Sequence, residues 1–139
     1  MKKRWIVLGI ILVMVIIVFC FLMERNKQEI DSVSGVTIEI KEGTLTPTGA
    51  TIIITDTTDK NNSYGEAYRI DKKEDGKWTE VSRVIDNAFF NDIAYLLDDN
   101  NQIVREVDWE WIYGSLKPGR YRFVTDCSDR KLSVSFIIR

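Results

Sequence analysis

The sequence contains no histidine and only two cysteines among its 139 residues. Without histidine the chain lacks the commonest general base and the commonest zinc ligand. It also lacks a basic excess. Setting aside Lys2, Lys3 and Arg4 leaves 16 basic against 21 acidic residues, a net charge of −5. A body of that sign has no stripe of Lys and Arg to displace phosphate counterions, so nucleic acid is not an expected partner. Internal repeats and low-complexity runs are missing too. These absences exclude most enzymes of this size.

What is there divides into two unlike pieces, which the mean hydropathy of −0.13 averages away. Residues 5–23 are nineteen in number and carry no charge. As a helix they rise about 28 Å, close to the roughly 30 Å hydrocarbon core of a bilayer. A helix satisfies its own backbone polar groups, which lipid does not. Lys2, Lys3 and Arg4 precede the run, whereas Arg25 and Lys27 are mixed with Glu24 and Glu29 after it. The positive-inside rule therefore places residues 1–4 in the cytoplasm and the rest outside, as a single-pass protein of the cell membrane. Two other readings fit less well. A cleaved signal peptide has a shorter apolar core and a small-x-small cleavage site, and the segment ending Phe21-Leu22-Met23 offers none. A lipidated Cys20 would follow a small residue, and Phe19 stands there. With Cys20 in the span and Cys127 outside it, the two cannot pair within one molecule. Cys127 is either a buried small hydrophobe or a cross-link between two chains, and burial is the expected state.

Residues 24–35 are polar and read as a tether, and residues 36–139 as the external domain. Val36, Ile38 and Ile40 alternate with polar neighbours, the period-2 pattern of a half-buried strand. Residues 45–49 have turn composition, 50–55 form the next strand, and 56–63 a loop. Residues 64–81 read as a hairpin turning at Asp75-Gly76, where glycine accepts positive φ without strain. Ile85, Phe89 and Ile93 have helical spacing, so a helical turn is expected within 85–94. Residues 93–97 and 102–107 flank a turn at 98–101, and residues 119–125 and 131–138 are the last strands. Seven or eight short strands with turns about every ten residues point to an all-β antiparallel sandwich after one N-terminal transmembrane helix.

Several motifs, in order, are more specific than any is alone: Tyr64-Gly65, Tyr68, Asp75-Gly76-Lys77-Trp78, Asp108-Trp109, Tyr113-Gly114, and Leu116-Lys117-Pro118-Gly119-Arg120-Tyr121-Arg122. Together they resemble the bacterial immunoglobulin-like domain family of Gram-positive membrane-anchored and surface proteins. The resemblance covers about residues 36–139 and implies an Ig-like sandwich outside the membrane, with no activity or cofactor to carry over. Tyr121 has the look of a tyrosine corner, whose hydroxyl ties a connection between sheets to upstream backbone. Antibody-like domains add a disulfide between the sheets. With one external cysteine, this chain must draw its stability from core aromatics such as Trp78, Trp109 and Phe136.

Chemistry-bearing candidates each meet a plainer structural reading. As a strand, residues 108–113 would put Trp109 and Trp111 on one face and Asp108 and Glu110 on the other, a platform that suits a sugar ring; aromatics near a sandwich corner more commonly pack inward. Asp98 to Asn101, and Asp56 with Asp59, hint at calcium, but the EF-hand spacing is missing and such clusters serve turns. Asp86 and Asp92 form an imaginable acid/base pair with no cleft around them. Ser63 and Ser128 have no histidine to activate them. No catalytic, cofactor or metal residue is therefore assigned. The expected function is a non-enzymatic, membrane-anchored interaction or structural module at the cell envelope, bound to the membrane through residues 5–23 and to a protein partner. The alternative is a binder of wall glycans or calcium.

Overall fold

A helix opens the chain and two β-sheets close it. The computed structural model describes residues 2–25, 32–58 and 60–139; within the helix the continuous run of described side chains is 9–19. Helix α1 spans Lys2–Arg25. Every one of its described apolar side chains is solvent-exposed, so nothing in the domain covers them. Among the described residues no helix is long and apolar enough to cross a membrane. Half of the expected tether, residues 26–31, lies outside the described residues, as does Asp59.

The strands are β1 (Val36–Ile40), β2 (Gly49–Asp56), β3 (Tyr64–Gly65), β4 (Tyr68–Glu74), β5 (Lys77–Glu80), β6 (Ala94–Tyr95), β7 (Gln102–Asp108), β8 (Gly119–Cys127) and β9 (Arg130–Ile138), with a one-turn helix α2 (Glu110–Tyr113) between β7 and β8. They pair as a three-stranded sheet β1-β2-β7 and a four-stranded sheet β5-β4-β8-β9, with a small β3-β6 ladder at the flank. All of these pairs are antiparallel. Two antiparallel sheets joined this way make the immunoglobulin-like sandwich.

Alternation explains how the sheets face each other. Along β2 the buried residues are Ala50, Ile52, Ile54 and Asp56, and along β7 they are Ile103, Arg105 and Val107. From the opposite sheet come Ile70, Tyr121, Phe123, Cys127, Leu132, Phe136 and Ile138, forming one core. In place of a disulfide an aromatic stack spans it: Trp109 to Phe136 at 5.5 Å and Phe136 to Tyr121 at 5.7 Å between ring centroids. Large apolar rings of this kind bury the most area per residue. The β4–β5 turn occurs at Asp75-Gly76, both with positive φ (51° and 75°), as the dipeptide led us to expect.

Three expectations need correction. Trp78 is not in the core: it lies on the outer face of β5, with Arg122 at 4.7 Å and Lys73 at 5.6 Å over its ring. Four residues of edge strand expose its outer face, and cations cover the ring there instead of apolar neighbours. No helical turn forms in 85–94; this segment is irregular up to β6. Ala88 and Phe90 pack against the core from this irregular chain, Phe90 on the Tyr68 ring at 5.0 Å, whereas Phe89 is 81% exposed. Residues 108–113 are not a strand, because β7 ends at Asp108 and the chain turns into α2.

Candidate functional site

That turn into α2 decides the fate of the two tryptophans. In a strand, residues two apart share a face; in a helical turn they point away from each other. Trp109 is accordingly fully buried, whereas Trp111 is 43% exposed and meets Phe90 edge-on at 6.0 Å. Asp108 starts the turn by accepting the Glu110 backbone N–H at Oδ1, 2.8 Å away. Trp109 donates its indole N–H to the carbonyl of Pro47 (2.9 Å), and Leu116 donates its backbone N–H to the same oxygen (2.9 Å). The indole thus clamps the β1–β2 loop to the corner. Trp109 and Trp111 do not form a common platform.

Next to this corner the structure shows the expected tyrosine corner. The Tyr121 hydroxyl donates to the Lys117 carbonyl at 2.7 Å. Beside it a groove of about 470 Å³ runs between β4, β5 and the α2–β8 connection, lined by Lys72, Glu74, Glu80, Tyr113, Ser115 and Lys117 among others. Tyr113 donates to Glu80 Oε1 at 2.9 Å, and Arg83 binds the same oxygen at 2.8 Å. Burial, and then the bond to Glu80, push the Tyr113 hydroxyl well above the usual tyrosine range. It stays a phenol at neutral pH. The groove can hydrogen-bond a polar chain, but its tyrosine is no base.

The other sequence candidates fall into structural duties. The inward row of β2 ends on Asp56, whose Oδ1 accepts the Thr58 N–H (2.8 Å) and hydroxyl (2.5 Å) and whose Oδ2 accepts Asn62 Nδ2 (2.9 Å) and the Tyr64 hydroxyl (2.7 Å). Burial pushes this carboxyl up, but the bonds from Thr58, Asn62 and Tyr64 outweigh it and hold the pKa at about 2. Burial and the bond to Asp56 push Tyr64 far up in turn. Cys127 lies beside Tyr64 in the core, and burial raises its thiol. Asp98 Oδ1 accepts the N–H groups of Asn100 and Gln102, the usual work of a turn aspartate. Ser63 and Ser128 do meet, but as a clip: Ser128 Oγ accepts the Ser63 N–H at 3.1 Å, and Ser63 O accepts the Ser128 N–H at 2.8 Å. Asp86 and Asp92 are exposed on the irregular 81–93 segment. Among the described residues no group of three or more Cys, Asp or Glu could hold a metal ion.

Sequence reasoning missed the burial of three charged residues, Asp56, Asp71 and Arg105. Asp71 is 2% exposed and binds Arg69 Nε at 3.0 Å and Arg122 Nε at 2.7 Å. Arg105 donates to the carbonyls of Gly65 (3.1 Å) and Glu66 (2.8 Å), with the Tyr95 ring 4.5 Å away. The signal for Asp56 and Arg105 was present: the period-2 rows 50, 52, 54 and 103, 107 continue through them. Asp71 offers no such signal, because its neighbour Ile70 is also buried.

Comparison with known proteins gives one match. The family model described as a bacterial Ig-like domain covers residues 32–137. No curated protein and no solved structure matches the chain.

Proposed function

Because the chain belongs to the bacterial Ig-like domain family, we propose that it is a non-enzymatic interaction or structural module of the cell envelope, anchored through residues 5–23 with the sandwich outside the membrane. The observation that carries this reading is the exposure of every described apolar side chain from residue 9 to residue 19 of α1, beside a domain whose core buries Trp109, Tyr64 and Phe123. So much apolar helix surface needs an environment other than water, and the nineteen uncharged residues of the sequence have the length of a bilayer core. The basic residues before the run supply the orientation. Within the domain, the candidate polar groups at Asp56, Asp98 and Ser128 spend their bonds on turns and clips, which favours a scaffold over a catalyst. The short polar segment between α1 and β1 would confine such a scaffold near the bilayer, which raises its effective concentration toward other envelope components.

The test is fractionation of cells expressing the tagged full chain, followed by cross-linking. The expected result is retention in membranes through alkaline extraction, protease access to the sandwich from outside, and a cross-linked partner lost when residues 36–139 are removed. Release into the soluble fraction would sink the anchor. A membrane-held chain that captures nothing, itself included, would sink the interaction role.

A further inference from the structure

The acidic sign of the external domain is concentrated on one side of it. Residues 84–111 hold seven carboxylates, all of them exposed, and one base, Arg105, which is buried, for a net charge of −6. The rest of residues 36–139 carries 13 bases and 11 acids, a net charge of +2. The ion pairs among the described residues use Asp71, Glu74, Glu80 and Asp126, none of them in this stretch. The same stretch holds six of the seven large apolar side chains exposed in the domain: Val84, Phe89, Ile93, Leu96, Val104 and Trp111. Three contacts join its parts into one flank. Phe90 meets the Trp111 ring at 6.0 Å, Val84 donates its backbone N–H to the Ile112 carbonyl at 2.7 Å, and the Arg105 guanidinium lies 4.5 Å from the Tyr95 ring. Exposed apolar residues scattered singly need no explanation, but six on one acidic flank mark an interaction surface.

We propose that this flank docks a basic amphipathic helix of a partner protein, with the helix's apolar stripe on Phe89, Ile93, Leu96 and Trp111 and its Lys and Arg set against Asp86, Asp92 and Glu110. The proposal rests on the interaction-module reading and names the chemistry of the partner. Charge complementarity selects the occupant. A helix with apolar residues three and four apart and bases beside them presents both required features on one side. A second copy in a twofold contact would bring the same acids to the flank, and an anionic lipid surface would bring phosphates, so like charge disfavours both. Opposite charge would steer the basic helix in, and burial of apolar side chains would hold it. Phe89 and Leu96, 81% and 87% exposed, have the most surface to bury there.

The experiment uses the full chain in phosphatidylcholine nanodiscs, with Cys20→Ala to remove the helix thiol and Cys127 left buried. A fluorophore is placed on the flank through Asn87→Cys and, for comparison, on the outer face of β9 through Ser135→Cys. The probe is a synthetic Leu/Lys amphipathic helix carrying a quencher, alongside a peptide of the same composition in scrambled order and a Leu/Glu analogue. The expected result is saturable quenching at position 87 and none at 135. Binding should weaken by about tenfold or more in a Phe89→Ser, Leu96→Ser variant and in an Asp86→Lys, Asp92→Lys variant. All four side chains are exposed, and unchanged thermal melts check the fold. Equal quenching at both positions, or by the scrambled peptide, overturns the proposal, as does binding that ignores either variant. Equal binding of the Leu/Glu analogue overturns the charge match. Should the peptide fail while an envelope partner is still cross-linked by the Phe89→Ser, Leu96→Ser chain in cells, the flank is overturned and the broader interaction reading stands. Capture of neither peptide nor partner ends both.

Discussion

Acidification should weaken this fold by a predictable amount through Asp56. In the folded chain its pKa is held at about 2, against 3.8 for an ordinary aspartate, because its four hydrogen bonds favour the carboxylate. A folded pKa below the unfolded one contributes stability that is fully present above the unfolded value. That stability is lost as pH falls through the folded value. The difference is worth about 2.4 kcal/mol above pH 5, with most of it gone by pH 2. Other carboxylates titrate in the same window, so the measurement must be a difference. Urea unfolding of the wild type and of Asp56→Asn, followed by tryptophan fluorescence at steps from pH 7 to pH 2, isolates the term. At pH 7 the variant turns an acceptor into an amide donor facing Asn62 Nδ2, and we expect a loss of about 3 kcal/mol. The gap between the two proteins should shrink by about 2 kcal/mol as pH falls from 5 to 2. A gap that stays constant across that range would refute the reasoning, for it would mean that the carboxylate charge contributes nothing to holding the β2 end.

Three further outcomes follow from the packing. Trp109→Phe should cost about 2–3 kcal/mol in urea unfolding, since it opens a cavity and removes one of the two hydrogen bonds to the Pro47 carbonyl, whereas Trp111→Phe should stay within about 0.5 kcal/mol of wild type. Equal effects would mean that the two indoles share an environment after all. Gly49→Ala places a Cβ 2.4 Å from the Val107 carbonyl oxygen, a backbone atom that cannot swing away. It should lower stability by about 2 kcal/mol or more, and an unchanged midpoint would show that β2 and β7 separate freely there. Tyr121→Phe keeps the ring on Phe136 but removes the 2.7 Å bond to Lys117. Its expected cost is about 1–1.5 kcal/mol, and none at all would reduce the corner to a packing contact.

Local pattern and tertiary context divided the work along physical lines. Alternation at Val36, Ile38, Ile40 and again at Ala50, Ile52, Ile54 depends only on the two-residue period of a strand, so β1 and β2 were readable from the chain. The Asp75-Gly76 turn and the Tyr121 corner were readable for the same reason, because each closes over a few consecutive residues. The helix α1 likewise follows from an apolar run. Where the deciding partner lies far along the chain, reading failed. Ile85, Phe89 and Ile93 have helical spacing, but Ile85 is half-buried while Phe89 and Ile93 are exposed, and periodicity without a common buried face makes no helix. Trp78 looks like core by residue type, yet lies on an edge strand under Arg122 and Lys73.

The candidate site shows the same division. The string Asp108-Trp109-Glu110-Trp111 is compatible with a strand or a turn of helix, and the two differ in whether both indoles share a face. The choice is made by Pro47, sixty-two residues away from Trp109, whose carbonyl takes the indole N–H and the Leu116 backbone N–H. By itself, then, the sequence determined the apolar helix, the strand faces and the sandwich class, because those follow from chain periodicity and composition. Only the tertiary structure decided which aromatics are buried and which carboxylates are satisfied, because each of those depends on partners the chain brings together only when it folds.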